Sequence, residues 1–206
     1  HVGERVLNSR SIDLVDRALF HDALRRPRYE DYSFSRIPWT IERLLAPDAT
    51  SAERILPRDT LPGCEPGEID RVVLIFVDSF GWRHIERYLD ESPWLRRVER
   101  DGVLSKLTSM FPSTTTSHVT GIHTGLTPAE SGLYEWFQYH EAYDAMIAPL
   151  LFSYAGEKDR DGLVRAGKDP TKLYEGETTH ERLRRAGGRS TYVTPSAFTP
   201  SPYNDQ

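Results

Sequence analysis

Cysteine is nearly absent from this 206-residue sequence. Cys64 stands alone, which excludes an internal disulfide framework and any cysteine-built zinc site, because both need several thiols. One thiol in a turn (PGCEP) fits a reducing, cytoplasmic setting. Long apolar runs are missing too: the longest is Val72 to Val77, far short of the ~20 residues that span a bilayer. The first ten residues, HVGERVLNSR, have no apolar signal core. Excess positive charge is also lacking. The net charge is -5, and Lys and Arg are interleaved with acids in LRRVERDG and ERLRRAGGR. No basic stripe follows a phosphate backbone, so duplex nucleic acid is excluded as the expected partner. There is no internal repeat, no low-complexity tract, and no G-x-S-x-G element of a serine hydrolase.

What is present is the composition of a folded domain: 38 % hydrophobic and 28 % charged residues, with four Trp and ten Tyr to fill a core. Residues 1–69 read as an N-terminal helical and irregular arm. Ser11 caps a helix running to Arg26, Thr40 caps a short one (TIERLLA), and the rest is turn-rich, with Pro27, Pro38, Pro47, Pro57, Pro62 and Pro66. Residues 70–206 read as the first part of an α/β domain. The consecutive β-branched and aromatic residues at 71–77 mark a strand buried on both faces. A helical pattern from Trp82 to Arg100 is broken at Ser92-Pro93 and stopped by Gly102. A second strand follows at 103–107, and a third at 190–195 after the helix HERLRRAGG. Strands alternating with helices predict a mostly parallel central sheet flanked by helices. The aromatic stretch from Trp136 to Tyr154 reads as core and pocket wall, and EKDRDGLVRAGKD as an exposed excursion. Gly162 to Lys168 matches GxxxxGK, but Asp169 replaces the Ser/Thr of a phosphate loop and no strand precedes it.

Two features carry chemistry. Asp78 ends the first apolar run, and a carboxylate at the edge of a core needs a partner: either the next helix, which it would cap, or a metal ion. In Phe111-Pro112-Ser113-Thr114-Thr115-Thr116-Ser117-His118 a turn runs into a helix that stops at Gly125. Such a start is either an ordinary Ser/Thr cap or a phosphate site, where free N–H groups and the helix dipole meet hydroxyls.

These residues carry a resemblance. Strand-Asp78 followed by FPSTTTSHVTGIHTGLTPAESG resembles the type I phosphodiesterase/nucleotide pyrophosphatase family of the alkaline phosphatase superfamily. In that family the motif reads Pro-Thr-x-Thr-Phe-Pro-Asn-His and continues to Thr-Gly-Leu-x-Pro-x-x-x-Gly. The match runs from Pro112 to Gly132 without a gap. It implies an alkaline-phosphatase-like fold and a metal-dependent hydrolase of small phosphodiester or nucleotide-like substrates. Asp78 takes the place of a ligand to one of two divalent metal ions, usually zinc. Thr115 takes the place of the nucleophile, which bonds the same metal and is transiently phosphorylated. His118 stands where the family has an Asn that contacts substrate phosphate, and Ser79 stands where it has Gly.

The family's later Asp and His ligands have no counterpart after Gly132, and His140 and His180 stand isolated as surface or core histidines. One Asp and one Thr cannot hold two cations that each take about four ligands. The resemblance therefore implies an incomplete N-terminal part of a longer enzyme, inactive alone and needing the remainder of its own chain. The alternatives are a catalytically silent binding domain with this fold, and a phosphomonoesterase or phosphonate hydrolase using the same site.

Overall fold

The computed structural model describes residues 7–50 and 52–195. They fall into two units divided between Ser109 and Met110.

In the first unit, helix α1 (Ser9–Arg17) starts before Ser11, because Asn8 Oδ1 accepts the Ser11 N–H at 3.0 Å. Ser11 lies inside the helix, where its Oγ donates to Asn8 O (2.8 Å) and accepts the Lys106 N–H (2.9 Å). The helix stops at Arg17 instead of running to Arg26, and the antiparallel pair β1 (Leu19–His21) and β2 (Leu24–Arg25) replaces its expected second half.

The arm from Pro27 to Ile69 is held by polar bonds to backbone. The Arg36 guanidinium donates to the carbonyls of Tyr29, Glu53 and Ile55 at 2.6, 2.7 and 2.7 Å. Tyr32, 1 % exposed, donates to Asp59 Oδ2 at 2.6 Å, and burial beside that carboxylate raises its pKa. Helix α2 (Ile37–Leu45) contains Thr40 rather than being capped by it. The Thr40 hydroxyl donates to Arg36 O and accepts the Leu56 N–H, each at 2.8 Å, and so fastens residue 56 onto the helix. The expected break at Ser92-Pro93 is present between α3 (Trp82–Tyr88) and α4 (Pro93–Asp101). Ser92 Oγ caps α4, and Pro93 occupies a first-turn position that needs no N–H partner.

The expected strands do not form. Residues 72–77 are all exposed, Val73 to 84 %, and none has a backbone hydrogen-bond partner among the described residues. Residues 103–107 contribute only an isolated parallel bridge between Leu7 and Leu104, with a second bridge joining Ser33 to Thr108. Residues 190–195 form no strand either. The physical reason is pairing. A parallel strand is stable only between neighbours delivered by crossovers, and the apolar pattern reports the wish to be buried without supplying those neighbours. The sheets that are present are antiparallel and local, so the mixture of helices and small sheets is compatible with an α/β fold while a mostly parallel central sheet is not among the described residues.

The second unit is built on α5 (Thr115–Thr124), the short α6 (Pro128–Ser131) and an antiparallel meander. Its strands are β3 (Gln138–His140), β4 (Ala145–Ala148) and β5 (Ser153–Tyr154), with Gln138 opposite Ile147 and Ala148 opposite Ser153. Leu133, Tyr143, Ile147, Phe152, Leu163, Leu173 and Tyr174 form the core, and Val119 of α5 packs against it. Leu163 belongs to α7 (Gly162–Arg165) and is fully buried, so the segment expected to be an exposed excursion supplies a core residue. Its charges had hidden a Gly-Leu pair that folds inward. Helix α8 (Thr179–Arg185) starts at Thr178, which forms a reciprocal cap with Glu181, and Gly187 (φ 84°) follows its end. No helix of the described residues is long and apolar enough to cross a membrane.

Candidate active site

Thr115 is the first residue of α5 and is partly exposed. Three local devices hold it there. Thr114, extended at φ -111° and ψ 160°, caps the helix by accepting the Ser117 N–H at 3.2 Å. The same hydroxyl donates to Tyr134 O at 2.8 Å, tying the helix start to the segment that follows α6. The His118 ring reaches back: its Nδ1 lies 2.8 Å from Thr114 O, and its Nε2 accepts the Met110 N–H at 3.2 Å.

The body of α5 explains the rest of the motif. Thr116, Ser117, Thr120, Gly121 and Thr124 are buried, a lining of small residues rather than of large apolar ones. At Gly121 an added Cβ would come 2.5 Å from the Met110 Cε, so the absence of a side chain lets the buried Met110 lie across the helix. Gly125 and Gly132 end α5 and α6 in the left-handed region, at φ 73° and 71°, where glycine carries no steric cost.

The aromatic stretch divides. Tyr143 and Phe152 are core, whereas Tyr134, Trp136, Phe137 and Tyr139 are 40–54 % exposed. Gln138, 3 % exposed, shapes this segment: its Oε1 accepts the N–H groups of Tyr134 (2.9 Å) and Glu135 (3.3 Å), and its Nε2 donates to Gly132 O at 2.7 Å. Exposed rings therefore follow the carbonyl to which Thr114 is bonded. Neither Gln138 nor Thr114 stands out in the sequence, since a single amide or hydroxyl has no periodicity.

Asp78 belongs to the first unit, whereas Thr115 and His118 share the start of α5 in the second. Asp78 is exposed and caps its own turn, its Oδ1 accepting the Ser79 N–H at 2.8 Å. Ser79 sits at φ 58°, the left-handed region where the resembling family's glycine is at ease. Among the described residues no three His, Cys, Asp or Glu side chains gather where they could hold a metal ion. Thus Asp78 and Thr115 do not fit a two-cation centre without further donors.

At the other end of α5, His123 is 6 % exposed and its ring centroid lies 5.8 Å from that of His180 on α8 and 4.8 Å from that of Tyr192. Burial and then the neighbouring His180 push the His123 pKa down to about 4. Burial also lowers His180, whose Nδ1 lies 2.6 Å from Ser190 Oγ. His140, the other histidine that reads as isolated, lies with its Nε2 2.9 Å from Leu173 O and stacks on Tyr143.

No curated protein and no solved structure matches the chain. The family described as type I phosphodiesterase / nucleotide pyrophosphatase matches residues 72–202, which takes in Asp78, the whole of α5 and the aromatic segment, and the chain belongs to that family.

Proposed function

We propose that this protein hydrolyses small phosphodiesters or nucleotide-like pyrophosphates through a phospho-Thr115 intermediate. Family membership supports a phosphoric-ester hydrolase in general. The observation that carries the finer reading is Thr115 at the first position of a ten-residue helix, partly exposed and following Thr114, which is bonded to Tyr134 O and to the His118 ring. The positive end of the helix dipole meets a phosphoryl group there.

In this reading Thr115 Oγ1 attacks phosphorus in line as the bond to the leaving oxygen breaks, and the leaving group departs with a proton. Water then attacks the phosphothreonine and restores the hydroxyl, so that the net change is addition of water across one P–O bond. The exposed rings of Tyr134, Trp136 and Phe137 offer stacking faces for an aromatic or nucleotide-like leaving group. Two divalent ions, zinc by the family resemblance, belong to this reading. Asp78 and Thr115 are the ligands in this reading, and each ion would need further donors. Such ions, when bound, stabilise charge on phosphoryl oxygens.

Thr115→Ala tests the reading. Turnover of a chromogenic phosphodiester by the whole protein should be lost, with the far-UV spectrum unchanged; full activity in that variant would end the assignment of the nucleophile. The alternative reading from the sequence is a catalytically silent binding domain with the same fold. Metal content separates the two, since a silent domain binds substrate without a stoichiometric metal ion.

A further inference from the structure

We infer that His118 is a positioning residue: as the neutral Nδ1–H tautomer it ties Met110 to Thr114 across the turn and thereby fixes Thr115 at the start of α5. The inference rests on the reading of Thr115 as nucleophile.

The tautomer follows from the partners. A backbone amide can only donate, so the Nε2 that faces the Met110 N–H at 3.2 Å carries a lone pair. A carbonyl can only accept, so the Nδ1 that lies 2.8 Å from Thr114 O carries the proton. The ring's two polar positions are thus both engaged with backbone, on opposite sides of the connection 111–113. Within that connection Pro112 has no N–H to donate. The flanks of the connection are anchored: Met110 is 1 % exposed and lies over Gly121, and Thr114 is bonded to Tyr134 O. His118 is the brace between the two anchors.

The brace is not the helix cap. Thr114 Oγ1 already serves the Ser117 N–H, and Thr114 O already accepts the His118 N–H at 3.2 Å. The imidazole adds a second donor to that carbonyl and an acceptor for an amide four residues upstream. What it sets is the direction in which the chain enters α5, and hence where Thr115 Oγ1 lies. A nucleophile displaced by an ångström loses on the order of 10²-fold in rate while substrate binding is little changed. A phosphate ligand has the opposite signature, since a ring nitrogen aimed at substrate would have to leave one of the two backbone groups.

The first arm of the test needs no turnover. In protein labelled with 15N-histidine, His118 should show a protonated-type Nδ1 and an unprotonated-type Nε2 at neutral pH. Hydrogen exchange at the Met110 amide should quicken at least 10-fold in His118→Ala, with protection retained in the body of α5. An Nε2–H tautomer, or unchanged Met110 exchange, overturns the inference. The second arm uses the whole enzyme. His118→Ala should lower kcat on the order of 10²-fold with KM changed less than 3-fold. His118→Asn, which keeps a donor for Thr114 O, should recover part of kcat. A raised KM with kcat intact would make His118 a substrate-phosphate residue instead and overturn the inference. Should Thr115→Ala remain active, the nucleophile assignment fails while the tautomer and the Met110 exchange still report on the brace, so the two failures are separable.

Discussion

His123 near the C-terminus of α5 and His180 on α8 pack 5.8 Å apart between ring centroids, with Tyr192 edge-on to His123 and the Arg182 guanidinium donating to Thr124 O at 2.8 Å. Burial first, and then the neighbouring His180, disfavour the protonated form of the His123 ring.

Stability should therefore fall on acidification. The folded-state pKa of His123 is pushed down to about 4, below the ordinary 6.5, so between those values the unfolded chain binds the extra proton. The stabilising contribution is complete above pH 6.5 and is lost as pH falls towards 4. His180, lowered by burial, acts in the same direction. From pH 7 to pH 5 the loss attributable to His123 is about 2 kcal/mol. Urea unfolding across that range should show the slope, and His123→Gln should flatten it; an equal slope in the variant would place the pH dependence elsewhere.

Ser79 at φ 58° sits in a region that costs a side-chain-bearing residue about 1 kcal/mol or more. Because the residue is exposed, little packing is at stake. Ser79→Gly should raise stability by about 0.5 kcal/mol after the entropy of glycine is set against the relief, and Ser79→Ala should not. Thermal unfolding of the three proteins side by side checks the order; a less stable glycine variant would mean that the serine hydroxyl matters more than the backbone.

Thr116 is fully buried in the first turn of α5, and its hydroxyl has no hydrogen-bond partner among the described residues. An unsatisfied buried hydroxyl costs about 1–3 kcal/mol, and valine has nearly the same shape. Thr116→Val should be neutral or stabilising by about 1 kcal/mol in chemical denaturation. Marked destabilisation would show that the oxygen has a partner in solution.

The helices were largely legible in the sequence because their signals are local. Ser92-Pro93 marks a break between two helices, Gly125 a helix stop, and the glycines of HERLRRAGG the end of α8, all within one or two turns of chain. Where a local signal had two meanings, the reading slipped: Ser11 and Thr40 look like caps, yet their hydroxyls bond the chain at Lys106 and Leu56, partners far away in sequence. The apolar run at 72–77 was legible as a segment that needs burial, but sheet pairing is a property of neighbours, and no residue within the run encodes them. At the site, Thr115 and Asp78 stood out through the family resemblance. Gln138 and the tautomer of His118 were illegible because their roles lie in contacts with backbone, and any backbone looks alike in sequence.

The exposed run from Val72 to Val77 has a consequence for the chain's behaviour in company. Its amides and carbonyls, unpaired among the described residues, form a template with apolar side chains on either face, and such a template does not discriminate between one neighbour and another. The same run on a second molecule fits it as well as any other strand does. The fate of this segment is therefore a matter of competition in time and concentration: the neighbour that arrives first decides whether it becomes the interior of a sheet or the seed of an aggregate.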